Sequence, residues 1–233
     1  MPTDRTPGSA LLEARDLRVG HGTEPVCAPV DLAVAPGRAL GLVGANGAGK
    51  STLLQTLVGL LAPLAGTVTL AGREVDERRA DVRRDVACVL DDEAFFPSLT
   101  GREHLLLTAR GHGVRDPEAV VDAEVAAFGL TGRIDALPSR LSSGQRRRLA
   151  LAAALVRPAR LVVLDEPERR LDAGMRTRLA GRLARLRDDG AAVVFACHDA
   201  DFLRAVADDV LLLDEDACPR LDPASAADLL PAL

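Results

Sequence analysis

Gly44-Ala45-Asn46-Gly47-Ala48-Gly49-Lys50-Ser51 fits the pattern glycine, any four residues, then Gly-Lys-Ser or Gly-Lys-Thr. An apolar run, Ala39-Leu40-Gly41-Leu42-Val43, leads into it, and Thr52-Leu53-Leu54-Gln55-Thr56-Leu57-Val58, which reads as helix, leads out. A strand ends, a glycine-rich loop turns and a helix begins; that context separates this motif from a glycine-rich turn beside a core helix. Successive backbone N–H groups in such a loop point inward, and the unpaired N–H groups of the helix start add partial positive charge. Glycine lets the backbone approach phosphate oxygens with no Cβ in the way. The candidate phosphate-binding set is therefore Gly44, Ala45, Asn46, Gly47, Ala48, Gly49, Lys50, Ser51 and Thr52. Lys50 would reach β- and γ-phosphates, and the Ser51 hydroxyl would hold Mg²⁺.

Bulk properties narrow the partners. A chain of 233 residues suits one α/β domain with room for a small helical subdomain. The net charge of -5, with only 2% aromatic residues and no Trp or Tyr, disfavours nucleic acid as a partner. Cys27, Cys88, Cys197 and Cys218 lie at no metal-ligand spacing and are expected to be buried, reduced thiols in the cytosol. Residues 1–10 are polar, carry no apolar signal segment and are expected to be disordered. Apolar runs such as Leu149 to Val156 are far too short to span a bilayer, so any membrane role would be exerted through a partner's cytoplasmic face.

Along the chain, strands are expected at Leu11 to Val19, Pro29 to Ala35, Gly66 to Gly72 (with its turn) and Val86 to Leu90. The pattern then turns helical near 102–112, 116–128 and 144–156, an inserted subdomain spanning about 92–157. An α/β rhythm returns with a continuous apolar strand at Leu161 to Leu164, a helix over Asp172 to Asp188, and a strand at Ala191 to Ala196. A helix near 199–207, a strand at Val210 to Leu213 and a last helix over Pro223 to Leu230 complete the reading.

Two further constellations carry chemistry. Leu161-Val162-Val163-Leu164-Asp165-Glu166 places two carboxylates at a strand's C-terminal end. Asp165 suits Mg²⁺, directly or through water, and Glu166 could orient or deprotonate an attacking water. Leu141-Ser142-Ser143-Gly144-Gln145 opens a helix with small residues, a second anion site or simply a helix cap.

Taken in order, these motifs resemble the nucleotide-binding subunit of an ABC transporter, over about residues 11–213. The resemblance rests on the phosphate loop, the Leu141–Gln145 signature, the Asp165-Glu166 pair, Leu171-Asp172 as D-loop and His198 as switch histidine. It implies an α/β P-loop NTPase core, with an antiparallel β subdomain and an inserted helical subdomain, as one domain over 11–233. It also implies ATP and Mg²⁺ as cofactors. ATP would be held between two subunits, as in a homodimer, with Ser142 and Gly144 reaching the opposite γ-phosphate. His198 would bond the γ-phosphate in cis, Asp172 would cross the interface, and Lys50, Glu166 and His198 would form the catalytic set. A membrane permease would hold the chain at the inner face of the cell membrane. Thr100-Gly101-Arg102-Glu103-His104-Leu105 resembles drug and bacteriocin exporters, which points to export. A haem-export ATPase and a non-transport ABC-type ATPase are the alternatives.

The chain departs from the family at several points. No aromatic residue precedes Lys50, so His21 takes the place of the base-stacking ring, with less area and looser base selectivity expected. Asp91 stands at the position of the Q-loop glutamine, followed by Phe95-Phe96-Pro97, which is expected to line a groove for the permease. The usual Thr-x-Gly before Leu171-Asp172 is replaced by Glu168-Arg169-Arg170, whose arginines would pair across a dimer seam or stay solvated. The usual glycine after the last strand is replaced by Asp214-Glu215-Asp216. The run Arg146-Arg147-Arg148 reads as a solvated helix face.

Overall fold

A computed structural model describes residues 10–90 and 94–232; the expected N-terminal disorder falls almost wholly outside them. The chain begins with β1 (Leu12–Arg18), the hairpin of β2 (Gly20–His21) and β3 (Glu24–Pro25), β4 (Val30–Val34) and β5 (Ala39–Val43). Next come α1 (Lys50–Leu57), β6 (Ala65–Leu70), β7 (Arg73–Glu74), α2 (Ala80–Asp85) and β8 (Val86–Val89). Three helices follow, α3 (Gly101–Gly111), α4 (Pro117–Ala127) and α5 (Ser143–Leu155). The chain then alternates β9 (Leu161–Asp165), α6 (Ala173–Asp188), β10 (Ala192–Ala196), α7 (Ala200–Val206) and β11 (Asp209–Leu212), ending in β12 (Arg220–Leu221) and α8 (Pro223–Leu229).

Two sheets account for most strands. The larger has the order β12-β11-β5-β10-β9-β8, with β12 antiparallel at one edge and the other neighbours parallel. Every residue of β5, β9 and β10 is buried, as expected of parallel strands covered on both faces. The smaller sheet, β4-β1-β6-β7, is antiparallel. Its β4 alternates, with Val30, Leu32 and Val34 buried and Asp31 and Ala33 exposed, the period-2 pattern of a one-faced strand.

One core lies between the large sheet and its helices and includes Leu105, Phe128, Leu149, Phe195 and Phe202. The other contains α1 and the facing strands, with Leu12, Leu17, Leu42, Leu53 and Leu57. Helix starts are fixed locally. Thr100 and Glu103 form a reciprocal capping box on α3, and Asp116 caps α4 ahead of Pro117.

The expected strands and helices are found to within a residue or two at their ends. The β2–β3 hairpin, β7, α2 and β12 are additions. The strands among them are two residues long, too short for any periodicity, and α2 buries only Val82 among six residues. The thiol expectation needs correcting: Cys27 and Cys197 are buried, but Cys88 is exposed on the edge strand β8 and Cys218 is partly exposed. None of the described helices is long and apolar enough to cross a membrane.

Candidate functional site

The sheet order itself assembles the site. β5, β10 and β9 are parallel neighbours, with Ala196 level with Leu42 on one side and Asp165 on the other. Their C-terminal ends therefore open side by side. The loop 44–49 leaves β5, Cys197-His198 leaves β10, and Asp165-Glu166 closes β9. Residues distant in sequence meet because neighbouring strands lie only about 4.8 Å apart.

In the loop, Gly44, Gly47 and Gly49 all have positive φ, and Gly49 caps α1 at φ 87°. A Cβ on Gly49 would sit 2.4 Å from Val26 Cγ2, so this position needs glycine on both conformational and packing grounds. α1 has no side-chain cap and no acid in its first turn. Its first N–H groups thus remain available to an anion. Lys50, almost fully buried, folds its ammonium back onto the Gly44 and Ala45 carbonyls at 2.8 and 2.9 Å. Burial lowers its pKa, while the charges of Glu166 and Asp165 pull it back up.

Asp165 is buried at the end of β9. Glu166 follows in the left-handed region at φ 43° and holds two partners. Its Oε1 lies 3.3 Å from His198 Nε2, and its Oε2 lies 2.8 Å from the Arg169 guanidinium. Burial, then the nearby Lys50 charge, lowers the His198 pKa, so the ring is held toward its neutral form.

The other candidates fall around this centre. His21, at the end of β2, places Nε2 3.5 Å from Thr52 Oγ1, so the hairpin brings it over the start of α1. Ser142 and Gln145 form a capping box on α5: Ser142 Oγ accepts from Gln145 N at 3.2 Å, and Gln145 Oε1 accepts from Ser142 N at 2.9 Å. Ser143 and Gly144 complete this first turn, and Leu141 anchors it in the core. Asp172 caps α6 by accepting from Met175 N at 2.8 Å. Asp91 lies outside the described residues.

One expectation is corrected. The Arg146–Arg148 run is not a solvated face, because all three guanidinium groups donate to backbone carbonyls. Arg146 reaches Leu141, buried Arg147 reaches both Asp165 and Glu166, and Arg148 reaches Phe128 and Gly129. Arg147 thereby ties the signature helix to the carboxylate-bearing end of β9, a role that no sequence periodicity signals. Arg169 is solvated, as one of its two expectations had it, and from that exposed position it also pairs with Glu166 in its own chain.

Beside β8 lies a groove of about 1200 Å³, lined by Leu60, Cys88, Phe95, Phe96, His104 and Leu107 among others. Phe96 stacks on the His104 ring at 5.7 Å and Phe95 meets it edge-on at 5.3 Å, while His104 Nε2 lies 3.0 Å from the Phe96 carbonyl oxygen. Phe95 packs into the core, but Phe96 is 60% exposed, Leu60 57% and Leu107 51%.

A family profile described as ABC transporter matches residues 27–169. The chain is 36% identical over 209 residues to the thiamine import ATP-binding protein ThiQ of Jannaschia sp., covering 88% of this chain and 90% of that protein. It is 34% identical to the Fe(3+) ions import ATP-binding protein FbpC of Brucella melitensis over 90% of this chain, but spans only 59% of that relative's length. It is also 32% identical to the Nod factor export ATP-binding protein I of Rhizobium etli, over 87% of this chain and 65% of that one. A solved structure of an ATP binding subunit of an ABC transporter superposes with a TM-score of 0.82 at 27% identity, covering 91% of this chain and 90% of that one.

Proposed function

The chain belongs to the ABC transporter family of ATP-binding domains, and from that premise we propose that it hydrolyses ATP between two subunits to drive a separate membrane permease. The observation that carries the reading is the convergence of Lys50, Asp165, Glu166 and His198 at the adjoining ends of three parallel strands. In this reading residues 11–233 form one ATPase domain with a helical part over about 92–157.

The glycine loop and the start of α1 bind the phosphate tail through backbone N–H groups, and Lys50 exchanges the Gly44 and Ala45 carbonyls for β- and γ-phosphate oxygens. Thr52 and His21 lie on the path toward the base. The Ser51 hydroxyl and the Asp165 carboxylate are hard oxygen donors that suit Mg²⁺. Among the described residues no three His, Cys, Asp or Glu side chains cluster, as befits an ion that takes its other ligands from phosphate and water. Mg²⁺ supplies neutralisation of charge on the β- and γ-phosphates. Glu166 accepts a proton from water as its oxygen attacks the γ-phosphorus; the bond to the bridging oxygen breaks and ADP leaves with that oxygen. His198, held at Glu166, bonds the γ-phosphate through its ring. In a homodimer the α5 N-terminus, with Ser142 and Gly144, meets the partner's γ-phosphate, and Asp172 lies at the seam.

The apolar groove beside β8 is the surface for the permease, which holds the subunit at the inner face of the membrane. The Fe³⁺ and thiamine importers among the relatives lend no support to the export direction expected from Thr100 to Leu105; transport direction rests with the permease.

The test is steady-state ATPase assay of the chain with its permease. Glu166→Gln should lower kcat by about a hundredfold or more while ATP still binds. ATP should also shift this variant to a dimer in light scattering. A wild-type complex that hydrolyses no ATP, or a Glu166→Gln variant as active as wild type, would remove the motor reading.

A further inference from the structure

Glu168 stands where the family usually has threonine, three residues beyond Asp165. Its carboxyl is buried, at 6% exposure. Oε1 accepts a hydrogen bond from the His198 backbone N–H at 3.0 Å, and Oε2 is fully enclosed with no hydrogen bond of normal geometry, the buried Cys197 thiol lying beside the carboxyl. A buried carboxyl with one oxygen unsatisfied is costly, and such exceptions concentrate where a polar group serves a function. The group it touches is the switch histidine, whose ring faces Glu166. The turn after β9 thus holds His198 twice, by the ring at Glu166 and by the main chain at Glu168. On its other sides the same segment is fixed by Cys197 N–H to the Leu42 carbonyl and by the Asp199 cap on α7. Glu168 adds a side-chain link between the β9 and β10 ends to the main-chain one from Glu166 N–H to the Ala196 carbonyl at 3.1 Å.

We propose that Glu168 is a positioning residue, which sets the height of His198 over the γ-phosphate by accepting its backbone N–H. The proposal rests on the ATPase reading above. It accounts for a carboxyl at a family threonine position: a threonine side chain is two atoms shorter than the reach to His198 N uses. Only the acceptor oxygen is needed, so glutamine can replace it.

The experiment uses the purified full chain, with Glu168→Ala, Glu168→Gln, His198→Ala and the double variants, and reads kcat and KM separately. Glu168→Ala should lower kcat about tenfold with KM for ATP within about twofold, the loss expected when one part-buried N–H loses its acceptor. Glu168→Gln should recover most of that loss, and Glu168→Ala should add less than about twofold in the His198→Ala background, because interacting residues are non-additive. Glu168→Thr replaces Glu168→Ala if the latter does not fold. Independently of activity, amide hydrogen exchange at His198 should be faster in Glu168→Ala than in wild type, and close to wild type in Glu168→Gln. An unchanged His198 amide, an equal loss with and without His198, or a glutamine variant as poor as alanine each overturns the proposal. If wild type lacks ATPase activity even with its permease, the motor reading falls, while the exchange result still decides what Glu168 does to His198.

Discussion

At the scale of single residues, Gly49 shows how conformation and packing coincide. Its φ of 87° and the 2.4 Å approach to Val26 both exclude a side chain. Gly49→Ala should destabilise the fold by about 1–3 kcal/mol, lowering Tm by roughly 2–12 °C in a thermal melt, and should weaken ATP binding. Glu168 gives a pH signature. Burial raises its folded pKa above the ordinary 4.5. A raised pKa means that the native state binds the proton more tightly, so the associated stability is complete below pH 4.5 and is lost as pH climbs through the folded value. The Tm of wild type relative to Glu168→Gln should therefore fall as pH rises from 4.5, with a flat difference counting against the assignment. The glycine loop, Asp165 and Glu166 could be picked out in the sequence because each is a residue type at a fixed offset from an apolar run; His198 is reached only through the family resemblance. Arg147 and Glu168 could not, because their partners lie across the chain fold rather than along it.

At the scale of elements, legibility followed length and burial. β5, β9 and β10 are uninterrupted apolar runs and declare themselves as buried parallel strands. The β2–β3 hairpin, which carries His21, has two residues per strand and one of them is Pro25. Its position beside Thr52 is set by tertiary packing, so sequence could nominate His21 but not place it. The signature segment is a helix cap in its own chain, so its second role depends on a partner subunit. The link between α5 and β9 can be tested directly. Arg147→Met removes the donor shared by the Asp165 and Glu166 carbonyls and should cost about 2 kcal/mol or more, because hydrogen bonds from charged groups are the stronger kind. Hydrolysis should fall more than ATP affinity; equal kcat in the variant and wild type would show that α5 does not brace the carboxylates.

For the whole molecule, the two sheets and the helical block divide the work. The ends of the large sheet gather Lys50, Asp165, Glu166 and His198, the proposed phosphate site, while the groove beside β8 holds exposed Leu60, Phe96 and Leu107. Cys88 lines that groove and is exposed, whereas Cys27 and Cys197 are buried. Burial pushes the Cys27 thiol up to about 12, which keeps it protonated and unreactive at neutral pH. Maleimide at pH 8 should therefore modify Cys88 and Cys218 well ahead of Cys27 and Cys197, as read by peptide mass spectrometry. Bound permease should slow the reaction of Cys88 roughly tenfold or more and leave Cys218 unaffected. Labelling of Cys88 that ignores the permease would place its docking elsewhere.

The adjacency of β5, β10 and β9 has a consequence for how such a machine can be regulated. Three catalytic loops hung from a rigid, hydrogen-bonded lattice cannot drift apart without tearing strand from strand. Control must then be exercised from outside, by what approaches the open rim of the sheet. The chain is built as a loaded anvil, and timing belongs to whatever strikes it.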